Sequence, residues 1–498
     1  MSMIIDYVNP RYYKRTSLTS DNIIVVGGGN AAYISALILK SSFPNKNIKI
    51  IQSQKIGTVG VGESSSEQIR SFCDYVGIRT SDFILKAKAT FKLGIYFENW
   101  SDEDFLHNIG DLSTSYGSHF TYLQSVVANN KPNYEMSSCG TFVNQVPLNF
   151  LNDLNQCPSN QFHFDTHALN QYLREVCELR GINVIEDDIF DSDINSEGNI
   201  ICVNGRQKYY ADFFIDCSGF SRLLVSKKLG VKWKSYSKYL PLDSAIAFTT
   251  EEMDEYNMYT KATARDYGWS WQIPIQGKTG NGYVFSKKFI NETQAHEEME
   301  RVYGHKIDVA KTFKFDPGRL EKAWHKNCYA VGLSYSFIEP LEATALGNAI
   351  QQMFAFIHYL PSYGINECNE IINKVFDNMF DFVQAHYLVK KDNTPFWKDV
   401  KNNLKLTPSL QSLLDKWKRR FPLFGDVFCR WGMFTEVNYI PILYGLKWFD
   451  TEKVANEYKQ IEHIPITKWE DTYPNVMHMS HKKFIQEVVK TYNLNNGE

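Results

Sequence analysis

The chain has 498 residues, 43% hydrophobic and 14% aromatic, which allows roughly two to four domains with an ample core. Lys plus Arg (53) nearly balance Asp plus Glu (56), and the net charge of −3 speaks against nucleic acid or an anionic membrane as partner. Nine cysteines without CxxC spacing signal neither a zinc site nor a disulfide framework, so no metal is expected and a reducing cytoplasm is the expected setting. The N-terminal residues lack the apolar segment of a secretory signal, and no apolar run approaches the roughly 20 residues of a membrane span.

In chain order, a polar stretch to about residue 20 gives way to an apolar strand, Ile23–Val26, then a glycine turn, Gly27-Gly28-Gly29-Asn30-Ala31-Ala32. An apolar helix over 31–40 and a second strand at Ile48–Ile51 complete a β-turn-α-β unit. An amphipathic helix is predicted at 169–179 and a strand at Ile182–Ile185. Turn signals at Ser196–Asn199 and Asn204–Gly205 mark a hairpin, and Phe213–Asp216 reads as another buried strand. Residues 245–286 alternate as antiparallel sheet does, and from Ala345 onward the pattern is mainly helical, punctuated by Pro395, Pro408 and Pro422. The expected fold is α/β: a Rossmann-like module at 20–355 with an inserted, mainly antiparallel sheet, then a mainly helical region at 356–498.

The glycine turn follows a strand and opens a helix, the context in which such a turn cradles a pyrophosphate. Gly27 permits the tight turn, Gly29 lets backbone approach the ligand, and Asn30 and Ala31 begin the helix whose N-terminus favours an anion. Ala32 takes the place of a third glycine. The acid expected after the second strand for the ribose hydroxyls is absent, and Gln52 and Ser53 stand there instead. The turn by itself does not separate NAD from FAD.

Three other segments carry chemistry. In Gly268-Trp269-Ser270-Trp271-Gln272-Ile273-Pro274, strand alternation puts Trp269, Trp271 and Ile273 on one face, an indole wall ended by Pro274. Lys92 sits alone in the apolar run Ala89–Ile95; taken by itself, such a lysine is an edge-strand residue with its ammonium in water. Ser336–Thr344 holds two acids, Glu339 and Glu342, ahead of a helix, where acids suit the positive helix end.

Together with Gly57–Ser64, Ile215–Phe220, the segment from Val331 through Thr344, and Thr394–Trp397, the Trp269–Pro274 motif resembles the tryptophan-halogenase family of flavoproteins over roughly residues 20–400. The resemblance implies a flavin-monooxygenase-type FAD module, with Val61, Gly62, Glu63 and Leu333 joining the glycine turn around the cofactor. It implies an enzyme that uses FADH2 and O2 to make hypohalous acid from bromide, iodide or chloride. Lys92 would receive the oxidant and deliver it to an electron-rich arene of indole or phenol type. Glu342 would stabilise the ring cation, or take its proton, and the backbone amides of Thr344 and Ala345 would hold the halide. Relatives carry glycine where Ala345 stands, which leaves halide choice open. Trp269, Trp271 and Pro274 would keep the substrate from the flavin. With one dinucleotide motif in the chain, a separate NAD(P)H-dependent flavin reductase is the expected partner, and a homo-oligomer is left open.

Weaker readings concern His119 and Phe120, and Phe396 and Trp397, as pocket-lining aromatics, His163 as a structural histidine, and Cys217 as a small packed residue. The competing functions are a flavin monooxygenase on the same fold, or a flavin-binding protein without catalysis.

Overall fold

The computed structural model describes residues 20–55, 63–108, 144–154, 161–362, 364–423, 425–459 and 477–496. The chain begins with β1 (Asn22–Val26), α1 (Asn30–Ser42) and β2 (Asn47–Gln52). It continues through β3 (Thr90–Lys92), β4 (Gly94–Glu98), β5 (Phe105–Asn108) and β6 (Gln161–Phe164). Next come α2 (Thr166–Leu179), β7 (Asn183–Glu186) and β8 (Phe213–Asp216). Then follow β9 (Ser244–Thr250), β10 (Tyr259–Arg265), β11 (Gly268–Ile275), β12 (Lys278–Phe285) and β13 (Val309–Lys314). Finally β14 (Trp324–His325) and β15 (Cys328–Ala330) precede α3 (Thr344–Tyr359) and α4 (Ile365–Ala385).

Two large sheets frame the molecule. The first has the order β14-β15-β8-β1-β2-β7, parallel throughout except for the β14 edge. Its central strand is continuously apolar because both faces are covered, and α1 lies against it with Asn30 and Ala32 to Leu39 all buried. The second sheet has the order β13-β9-β12-β11-β10-β4-β5, antiparallel except where β10 runs parallel to β4. The inserted sheet expected over 245–286 therefore forms, and it recruits β4 and β5 from far upstream. The hairpin strands Asp191–Ile194, Ile200–Asn204 and Lys208–Tyr210 stand apart as a small sheet, at the turns expected for them.

Beyond α4 the described chain is helical, apart from the short strand His478–Ser480, which pairs with Gln145–Pro147. The compositional division at residue 356 falls inside α3, which is buried along most of its length against α1 and α4. The helical region is thereby continuous with the core of the first sheet. Among the described residues, no helix is long and apolar enough to cross a membrane.

Candidate active site

The glycine turn leaves β1 through Gly27 at φ +139°, a conformation closed to ordinary side chains, and a Cβ there would stand 2.2 Å from the Cys217 carbonyl oxygen. A Cβ on Gly29 would meet nothing within 4 Å, so this residue presents bare backbone to open space. That space is a cavity of about 380 Å³, lined by Gly27 to Ala31, Ser53, Glu63, Ser218, Leu333, Trp269, Trp271, Ile273 and the run from Glu339 to Leu346. The cradle thus fits a dinucleotide: free backbone at a helix N-terminus on one side, an aromatic wall on the other.

Other residues of the expected cofactor set behave differently. Ala32 is fully buried behind the turn. The Gln52 side chain is spoken for, since its Oε1 accepts the Tyr33 hydroxyl at 2.5 Å. It is absent from the cavity wall, contrary to the expectation that it meets the ribose, and its orientation is set by Tyr33. Asp187, just beyond β7, also lines the cavity, its carboxylate accepting from the Arg206 N–H groups and the Tyr209 hydroxyl. The pairing of β7 to β2 is a tertiary fact that no local motif announces. Val61, Gly62, His119 and Phe120 lie outside the described residues.

The wall is built by β11. Trp269, Trp271 and Ile273 face the cavity, their intervening neighbours point away, and the two indoles lie 6.0 Å apart with a 53° tilt. Gly282 on β12 makes room for Trp271, as a Cβ there would come within 2.1 Å of the indole. Pro274 lies past the point where β10 stops pairing with β11, so its missing N–H leaves no ladder bond unmade. Pro274 is not part of the wall; its carbonyl accepts the Thr90 hydroxyl at 2.8 Å and anchors β3 behind it.

Lys92 ends β3. It is not exposed at an edge but 1% accessible, with Nζ donating to the Ser65 carbonyl at 2.9 Å. Burial lowers its ammonium to about 8, opposed by the charge of Glu342. An amine near neutrality is one that can exist as a nucleophile.

Glu342 is buried and strained, at φ +65° and followed by Ala343 at φ +54°. Two histidines hold it. His107 Nδ1 lies 2.9 and 3.0 Å from the two carboxylate oxygens, and His386 Nε2 lies 2.9 Å from Oε1. His386 Nδ1 is 2.8 Å from the Phe382 carbonyl, which only accepts, so that nitrogen carries a proton. A further proton must then lie between His386 Nε2 and Glu342 Oε1. Burial favours the neutral acid, but the two histidines overcome it and hold Glu342 well below the usual carboxylate range. One nitrogen of each histidine and a Glu342 oxygen lie within 4.8 Å of one another, and the network continues from His107 Nε2 to Asn438 Nδ2 at 3.4 Å. Neither histidine was legible as a site residue, because they come from β5 and the end of α4.

Thr344 and Ala345 open α3 and line the cavity, their amides at a helix N-terminus as the sequence suggested. His163 is buried between Thr90 and Thr260, a structural position.

The model of the tryptophan halogenase family matches residues 22–460. The chain belongs to that family. The match reaches beyond residue 400, where the recognisable motifs end. The chain is 28% identical over 469 residues to tryptophan 6-halogenase SttH of Streptomyces toxytricini, covering 85% of this chain and 89% of that protein. It is 29% identical over 477 residues to tryptophan 7-halogenase RebH of Lentzea aerocolonigenes, covering 86% and 89%. The crystal structure of SttH superposes with a TM-score of 0.79 at 25% identity, covering 94% of this chain and 99% of that one. BrvH, a flavin-dependent halogenase from Brevundimonas sp. BAL3, gives 0.77 at 26% identity, covering 94% and 99%. This halogenase is accordingly a flavin-dependent enzyme with the α/β architecture its sequence suggested.

Phe396 and Trp397, expected to line the pocket, are absent from the cavity wall. They are core residues. Both are fully buried, the Trp397 N–H is satisfied by the Arg265 carbonyl at 2.7 Å, and their rings pack on Phe289 and Trp100 rather than on the cavity.

Proposed function

We propose that this enzyme converts halide to hypohalous acid in the cavity and passes the halogen by way of Lys92 to an electron-rich arene, an indole or a phenol. FADH2 arriving from a separate NAD(P)H-dependent flavin reductase would, once bound, supply the oxidising chemistry together with O2. Gly27 to Ala31 would hold its pyrophosphate, and Ser53, Glu63, Asp187 and Leu333 would complete its surroundings. Thr344 and Ala345 would hold the halide at the start of α3. Trp269, Trp271 and Ile273 would separate the arene from the flavin.

The observation that carries this reading is a buried lysine, its ammonium lowered to about 8, within electrostatic reach of the buried carboxylate of Glu342, which shares a cavity with the indole wall. Glu342, already accepting hydrogen bonds from two histidines, is a weak base. It is better suited to stabilising positive charge on the arene and on Lys92 than to removing a proton. Tryptophan is the substrate named for SttH and RebH, and it is the first arene to test here.

A halide panel tests the proposal: chloride, bromide and iodide with FAD, NADH, a flavin reductase and a mixed set of indoles and phenols, read by mass spectrometry. Halogenated product that disappears in Lys92→Ala is the expected result. Hydroxylated product that survives that substitution overturns the reading in favour of a monooxygenase.

A further inference from the structure

The turn that carries Glu342 carries a second acid with a different environment. Glu339 is 2% accessible and lines the same cavity as Trp269, Glu342, Thr344 and Ala345. Both donors that reach it, the Tyr387 hydroxyl at 2.7 Å and the Trp269 indole N–H at 3.3 Å, converge on Oε1. Its Oε2 is buried without a hydrogen-bond partner among the described residues. A bare buried carboxylate oxygen is strongly disfavoured as an anion, and burial pushes this carboxyl up to about 7 against the pull of the Tyr387 and Trp269 bonds. Once protonated, Oε2 becomes a donor that needs an acceptor. No acceptor among the described residues reaches Oε2, and Glu339 lines the cavity, so the acceptor is sought in what occupies the cavity. At the α3 end of that cavity, helix amides favour a small anion.

We propose that Glu339, as a neutral acid, donates a hydrogen bond from Oε2 to the halide while its Oε1 holds the Trp269 indole in the wall. The inference rests on the halogenase reading above and adds a halide-binding residue to it. Two consecutive residues at the end of α4 serve the two acids of one turn, His386 binding Glu342 and Tyr387 binding Glu339. The titratable groups facing Glu339 are Tyr387 from that end and, around the shared cavity, Glu342 with its histidines, Glu63 and Asp187. Glu63 and Lys92 are the competing sources of any pH effect, since burial pushes Glu63 also to about 7 and lowers Lys92 to about 8. Below about 7 Glu339 is a neutral donor. Above it, a second negative charge shares the cavity with the halide, so halide affinity falls as pH rises.

The test is calorimetric titration of bromide into the FAD-loaded enzyme between pH 6 and pH 8.5, for wild type, Glu339→Gln, Glu339→Leu and Glu63→Gln. We expect the wild-type Kd to rise about tenfold across this range, a charge-assisted hydrogen bond exchanged for repulsion. Glu339→Gln keeps the Oε1 acceptor and replaces O–H by N–H; it should hold the low-pH affinity within about threefold and lose the pH dependence. Glu339→Leu should weaken bromide about tenfold at pH 6, with flavin content and circular dichroism confirming the fold. Glu63→Gln, and Lys92→Met titrated alongside, should keep the wild-type slope. A flat wild-type profile, a slope that persists in Glu339→Gln, or a slope lost in Glu63→Gln or Lys92→Met overturns the proposal. Failure of the halogenase reading is distinguishable, because the wild-type enzyme would then give no halogenated product in the halide panel whatever its bromide Kd.

Discussion

The flavin cradle and the turn at residues 339–345 face each other across one cavity, yet they are built on opposite principles. The cradle is made of backbone: a strand, a glycine with no room for a Cβ and a helix N-terminus, all within eleven residues of sequence from Asn22 to Ala32. The turn is made of side chains drawn from afar. Its two left-handed residues, Glu342 and Ala343, have no glycine to ease them, and the partners of Glu342 lie 235 and 44 residues away. Strain of this kind, on the order of 1–3 kcal/mol per residue, persists only where the surroundings over-determine it. The cradle binds by shape, whereas the turn is held poised by charge.

The largest effect should come from the charged side. Lys92→Met is expected to lower halogenation by about a thousandfold or more while leaving flavin binding intact. It should also stabilise the protein. The lysine ionises at about 8 when folded, against 10.5 when unfolded, so the unfolded chain binds more protons between those values. Wild-type stability therefore rises with pH across that window, and below it a buried ammonium costs about 3 kcal/mol. Thermal melts at pH 7 and pH 10 check this: Lys92→Met should melt higher at pH 7 and lack the rise. A mutant that melts lower at pH 7 would show that the lysine contributes net stability.

Gly27→Ala attacks the backbone side. With its Cβ 2.2 Å from a carbonyl oxygen and φ at +139°, we expect a loss of about 2–4 kcal/mol and of most flavin, seen as colourless protein. His386→Ala removes one of the two histidines on Glu342 and should cost about 2–3 kcal/mol, with kcat falling about tenfold to a hundredfold at unchanged flavin affinity. Equal damage to flavin binding from His386→Ala and Gly27→Ala would erase the distinction between the two regions. The smallest effect is expected from Ala345→Gly at the start of α3: about a threefold shift in the chloride-to-bromide KM ratio, without loss of stability beyond about 1 kcal/mol.

The same contrast explains what could be read in advance. The β1-turn-α1-β2 unit, the indole face of β11 and the strand Phe213–Asp216 formed where their periodicity placed them, because each rests on local rules of alternation, burial and glycine geometry. The Lys92 and Glu342 assignments came from motif likeness, since an isolated lysine in an apolar run carries no visible sign of its burial. Gln52 misled because its position after β2 is right and its orientation is set by Tyr33. Phe396 and Trp397 misled because an aromatic pair reads the same whether it lines a cavity or fills a core.

By itself, the sequence determined the α/β class, the cradle, the wall and the membership of the halogenase family, all properties that repeat along a few turns of chain. Only tertiary structure decided that Asp187 lines the cavity, that His107 and His386 hold Glu342, and that Tyr387 and Trp269 converge on one oxygen of Glu339. Hydrogen bonding between groups 44 to 235 residues apart leaves no period in a sequence. It arises when two sheets and a helix end enclose polar groups that water can no longer satisfy.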